Sequence, residues 1–237
     1  MKNLIKPITY LLAFVLTFTG LFVNHSFAAT DKPQNTIEQQ QIEFENHIKQ
    51  LATTDQEAQI SYEQYSQLSD EKKKDFVKAL NSEEFIKALQ ATTTLNPGQS
   101  KTFNNGSIIA SVVEEGEFQN SGPYALAGGH AIKERNVTHK VVVYGIFATI
   151  YWLKVRFQHD LGSRNVTKTI SADNGHTNIN PGIIVTDQNT NHWAAAGWAY
   201  GTGKFKLAAT GSLGFWSFTH VLNIKTDSEY TTGWINE

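Results

Sequence analysis

The chain has 237 residues, 18% of them charged, a formal net charge of −2 and no cysteine. Without cysteine there is no disulfide framework, no thiol nucleophile and no thiolate metal site. The charge is too evenly balanced for a nucleic-acid binder, which concentrates Lys and Arg on one face.

Residues 1–28 have the layout of a secretory signal peptide. Lys2 and Lys6 form a positive start, an apolar stretch comes next, and Ser26-Phe27-Ala28 places small residues where a signal peptidase reads them. Cleavage is expected after Ala28. The apolar stretch is about 13 residues, against the roughly 20 that a membrane-spanning helix needs. The expected location is therefore extracellular.

The composition changes at Asn96-Pro97-Gly98. Residues 29–97 hold 12 acidic and 7 basic side chains and neither glycine nor tryptophan, whereas residues 98–237 hold 16 of the 17 glycines and all five tryptophans. The first part is expected to be a helical, acidic pro-region or leader. Residues 36–54 are polar, with sparse apolar positions at Ile37, Ile42, Phe44, Ile48 and Leu51, which predicts a weakly buried helix. Ser69 is a good N-cap, with Asp70 and Glu71 placed where the helix dipole favours carboxylates. Phe76, Val77 and Leu80 then make a one-sided stripe, and Asn81-Ser82-Glu83-Glu84 repeats the start signal before Phe85, Ile86 and Leu89. Helices this short are marginal alone. They either pack on the C-terminal part of the chain or form a small pro-region, with Pro97 and Gly98 marking the processing point.

The second part, residues 98–237, reads as β. Residues 102–113 carry a turn at Asn104-Asn105-Gly106, and residues 114–135 are glycine-rich and irregular. Residues 138–159 alternate apolar and aromatic side chains with period two, which predicts one long strand, bent or bulged at Gly145 or Ala148. Turns are expected at Asp160-Leu161-Gly162-Ser163, Asp173-Asn174-Gly175 and Gly201-Thr202-Gly203. Strands are expected over 166–170, 183–186, 192–200, 204–210, 215–224 and 229–235. Turn signals about every ten residues predict an antiparallel β-sandwich, with a barrel as the alternative.

Six of the eight histidines lie in this part: His130, His139, His159, His176, His192 and His220. None forms a metal-binding pair at short spacing, and the Gly-x-Ser-x-Gly elbow is absent. Acidic residues are sparse, so no catalytic residue, metal or cofactor is expected. Aromatic side chains are more informative. Exposed Trp and Tyr serve sugar stacking, protein contact or interface anchoring. The binding candidates are Tyr151, Trp152, Lys154 and Arg156 on the long strand, with Trp193 and Trp198. The positive end of that strand, Lys154 and Arg156, would be drawn to an anionic surface.

The leader Leu-Ser-Asp-Glu-Lys-Lys-Lys-Asp-Phe-Val-Lys-Ala-Leu (68–80), with Val143-Tyr144-Gly145-Ile146-Phe147-Ala148-Thr149-Ile150-Tyr151-Trp152, resembles a group of secreted Gram-positive precursors. These combine a leader with an all-β C-terminal domain and include large candidate bacteriocins. The group has a Trp and a Tyr-Asp-Gly-like turn after the strand, where this chain has Phe157-Gln158-His159-Asp160-Leu161-Gly162. The resemblance implies a non-enzymatic, secreted antimicrobial protein acting on the envelope of competing bacteria, and implies no catalytic residues. A binding module for cell-wall glycan or a surface protein is the second reading, and a secreted hydrolase the third.

Overall fold

A computed structural model describes residues 36–115, 129–209, 213–229 and 231–232. The expected signal peptide and its Ala28 cleavage point lie outside the described residues. The described residues are mainly β, with two antiparallel sheets preceded by four helices.

Each helix begins on a side-chain cap. Helix α1 (Ile37–Leu51) starts with a capping box: Gln39 N–H donates to Thr36 Oγ1 and Thr36 N–H to Gln39 Oε1. Helix α2 (Gln56–Ser66) is capped by Asp55, whose Oδ1 accepts from Ala58 N–H while Oδ2 accepts from Thr177 Oγ1 at 2.7 Å. That carboxylate ties the helix start to a distant strand. Ser69 caps α3 (Asp70–Leu80) and Ser82 caps α4 (Glu83–Ala91), as the start signals predict. Phe44, Tyr65 and Phe76, one from each of the first three helices, meet with ring centroids 4.8–5.4 Å apart.

The chain leaves α4 through a tight turn at Asn96-Pro97-Gly98-Gln99, closed by Gln99 N–H to Asn96 O at 3.0 Å. Proline presets the first corner and Gly98 takes the second at φ +84°, the pattern of a type II turn. Gly98 N–H then donates to Val112 O at 2.8 Å, docking the junction on the sheet.

The first sheet runs in chain order through β1 (Ser100–Phe103), β2 (Ile108–Glu115), β3 (His130–Val143), β4 (Ile146–Asp160) and β5 (Val166–Asn178). The second runs through β6 (Ile183–Ala195), β7 (Trp198–Ala209), β8 (Trp216–Thr226) and β9 (Thr231–Thr232). The long strand expected over 138–159 is in fact a hairpin. Tyr144 (φ 49°) and Gly145 (φ 84°) reverse the chain between Val143 and Ile146. Two consecutive positive φ values give a hairpin loop whose twist matches that of the flanking strands. The register slips by one residue at Ala148, between the pairs Val141–Thr149 and Val142–Phe147, so the expected bulge is present beside the turn. Ala196 and Gly197 turn β6 into β7 in the same way, again inside a segment expected to be one strand.

The two glycine-rich turns expected at Asp173-Asn174-Gly175 and Gly201-Thr202-Gly203 lie inside strands β5 and β7. Their glycines admit close neighbours instead. A Cβ on Gly175 would lie 2.5 Å from Trp152 Cζ2, and one on Gly201 would overlap Val155 Cγ2. Gly203 leaves similar room for Leu153. Missing side chains on β7 thus let β4 of the other sheet approach, and Tyr151 meets Phe205 at 5.2 Å.

Helices and sheets share one hydrophobic core. Helix α4 lies against β1 and β2, α2 against β4 and β5, and α3 against β3. Ser61 Oγ donates to Phe147 O and Asn180 Nδ2 to Leu80 O. Phe76, Leu80, Phe85 and Leu89 of the helices are as fully buried as Leu153 and Phe157 of the sheet. Two substitutions test this packing. Gly201→Ala should cost about 1–3 kcal/mol by overpacking the sheet interface. Leu89→Ala should cost about 2–5 kcal/mol by opening a cavity. Both are read from urea unfolding monitored by tryptophan fluorescence. A Leu89→Ala transition identical to the parent would show that α4 does not share the core.

Candidate functional site

Alternation along β7 buries Ala199 and leaves Gly201 facing the other sheet, so Trp198 and Tyr200 point to the outer face. The register sets Trp193 of β6 and Lys225 of β8 on either side of Tyr200. The rings of Trp193 and Tyr200 lie parallel, 5.2 Å between centroids and 2° between planes. Lys225 Nζ sits 4.7 Å from the Trp198 ring centroid and 5.9 Å from that of Tyr200. Trp193 is 42% exposed. The result is an aromatic platform on the outer face, with Trp193 stacked on Tyr200 and a cation over the rings of Trp198 and Tyr200. Trp193 and Trp198 are binding candidates from the sequence. Tyr200 and Lys225 join them only through the strand register.

The other expected binding residues separate. Trp152, Lys154 and Arg156 share the outer face of the first sheet. Trp152 covers Gly175, Lys154 Nζ lies 5.8 Å from its ring, and Lys154 also pairs with Glu134 Oε1 at 3.2 Å. Glu134 lies opposite Arg156 as well, so a carboxylate offsets the positive end of this strand. Tyr151 is fully buried between the sheets and takes no part in an exposed face. Its place on the inward side of β4 is set by the alternation. Pro97 is half-buried and Gly98 exposed, both in the junction turn.

A cavity of ≈ 380 Å³ opens where the exit of α4 meets the two sheets. The turn residues Thr93, Thr94, Leu95, Asn96 and Pro97 form one wall. Val112, Val137 and His139 of the first sheet form the second, and Phe218, Thr219, Val221 and Asn223 of β8 the third. Among the described residues that line it there is a histidine and no carboxylate. The two His–Asp pairs, His176–Asp187 at 2.6 Å and His130–Asp160 at 2.8 Å, lie elsewhere.

Behind the cavity wall, His139 Nδ1 and His220 Nε2 are 3.1 Å apart. The His220 ring also lies 4.8 Å from that of Tyr151. Burial holds His139 down at about 3 and His220 well below the ordinary histidine range, with His139 adding to the effect on His220. Burial pushes the Tyr151 phenol up. Both imidazoles are therefore neutral, and one of them donates. His220 Nδ1 has no hydrogen-bond partner among the described residues. A buried orphan N–H is costlier than an orphan lone pair, so His220 donates through Nε2–H and His139 accepts at Nδ1. The proton of His139 then sits on Nε2. Residues so far apart in sequence give no spacing signal, and this pair is not visible from the chain alone. Among the described residues no three metal-ligating side chains gather.

Comparison with family models, with curated proteins and with solved structures finds no match.

The histidine pair makes stability depend on acid. The folded pKa of His139 is about 3 against roughly 6.5 in the unfolded chain. Between those values the unfolded state binds more protons, so stability falls as pH drops below about 6.5, by up to about 1.4 kcal/mol per pH unit for each histidine. His220→Phe removes one of the two groups. The slope of unfolding free energy between pH 6 and 4 should be shallower in the variant than in the parent, as read by urea titration. Equal slopes would mean that the pair is not buried neutral.

Proposed function

We propose that the protein is an exported, non-enzymatic β-sandwich protein that engages the envelope of competing Gram-positive bacteria and inhibits them. The observation that carries this reading is the platform of Trp193, Trp198, Tyr200 and Lys225. Flat ring faces with a cation above them match the alternating apolar faces and polar edges of envelope glycan. The close approach of β4 and β7 over Gly201 and Gly203 supports the sandwich arrangement, in which two sheets enclose one core. The signal-like start supports export, and the resemblance to secreted leader-plus-β precursors supports the antimicrobial outcome. Processing at Pro97-Gly98 belongs to the same proposal. A cut there would leave the helices docked, because their apolar faces are buried in the shared core.

Two measurements separate the readings. Secreted protein should sediment with purified Gram-positive cell walls, and Trp193→Ala combined with Trp198→Ala should weaken retention by about tenfold or more, about 1.4 kcal/mol. The parent should also inhibit growth of related strains at micromolar levels. Retention without inhibition would leave the glycan-binding module as the function. Absence of both would overturn the proposal.

A further inference from the structure

The cavity at the helix–sheet junction is separate from the aromatic platform, and its chemistry selects a different ligand. Among the described residues, every lining side chain is uncharged. A charged ligand would leave water with no compensating partner, which argues against phosphates, carboxylates and metal ions. The polar side chains on the turn are hydroxyls and amides, Thr93, Thr94 and Asn96, and Thr219, Val221 and Asn223 line the opening along β8. Asn223 turns its side chain to the outer face of β8, where its Oδ1 accepts from Thr202 Oγ1 at 3.0 Å. Valines 112 and 137, on the same face of the first sheet as His139, supply an apolar surface beside it. The volume falls within the range of small-ligand sites, which pair apolar walls with a few fixed polar groups.

His139 gives the cavity a direction. It is 6% exposed and lines the cavity, with Nδ1 occupied by His220. The tautomer set by that bond leaves an N–H at Nε2. A group held by a buried neighbour in one tautomer is a preorganised donor, and it calls for an acceptor on the ligand.

We infer that this cavity binds a neutral, amide-bearing sugar, an N-acetylhexosamine unit, with the acetamido oxygen accepting from His139 and the acetyl methyl against the valines. The turn from Thr93 to Pro97 forms one wall, so the site exists only while the helical segment is joined to the sheets or docked on them. The cavity site is additional to the platform, which stacks ligands on an outer face.

NMR titration of the whole secreted protein with N-acetylglucosamine tests the inference. Saturable shifts are expected at His139, Val137 and Asn223, with binding in the millimolar range, and glucose should bind at least about tenfold more weakly. His139→Phe should abolish the response. Thr219→Trp, at an exposed rim position, should block it without touching the buried pair. Trp193→Ala should leave these shifts unchanged while weakening wall retention, so failure of the platform reading and failure of this one are told apart. No saturable shift up to the solubility limit, equal binding of glucose, or an unaltered response in Thr219→Trp would overturn the inference.

Discussion

The inner face of the five-stranded sheet is covered by two unlike partners, and the remaining architecture depends on that division. Over Tyr151, Leu153 and Val155 the cover is the second sheet, admitted by Gly201 and Gly203. Near the β3–β4 turn and along β1 and β2 the cover is helical, supplied by α3 and α4. Phe76, Leu80, Phe85 and Leu89 are each buried to within 1% of completely. A fully buried side chain of this kind contributes about 1.5–3 kcal/mol. Helices too short to persist alone are thereby held, and the apolar ends of β2 and β3 are kept from water.

The seam between the two covers is where the polar features collect. A helix exit and a sheet edge cannot close on each other as two sheets do, and the cavity remains there, walled by the junction turn. His139 and His220 meet just behind it, one from each sheet, and stay neutral because burial penalises their charged forms. Their cost in acid is the counterpart of their use as a fixed donor facing the cavity. The aromatic platform lies on the outer face of the second sheet. Its position there is due to the same alternation that turns Ala199 and Gly201 inward.

Local signals in the sequence are reliable where they act locally. Ser69 and Ser82 cap helices because a hydroxyl two or three residues before the first free amides is sufficient in itself. Helix α2 has no readable stripe, since its buried contacts are Ala58, Ser61 and Tyr65, small or polar except for one ring. Glycine is the main source of error. Asn174-Gly175 has turn composition yet runs straight, because Gly175 makes room for Trp152. Tyr144-Gly145 and Ala196-Gly197 lack the usual Asn or Asp and do turn, since the strands on either side pair with each other. The outcome depends on what packs above the glycine, which no single segment encodes. The site shows the same limit: Trp193 and Trp198 are visible as residues, whereas Lys225 and the histidine pair depend on register across strands.

Helices and sheets form one cooperative core. All five tryptophans lie beyond Gly98, so their fluorescence reports on the β part, while far-ultraviolet ellipticity reports chiefly on the helices. Equilibrium urea unfolding of the protein, monitored by both signals, tests this directly. Coincident transitions are predicted. Loss of helical signal at lower urea, with tryptophan fluorescence still native, would contradict it.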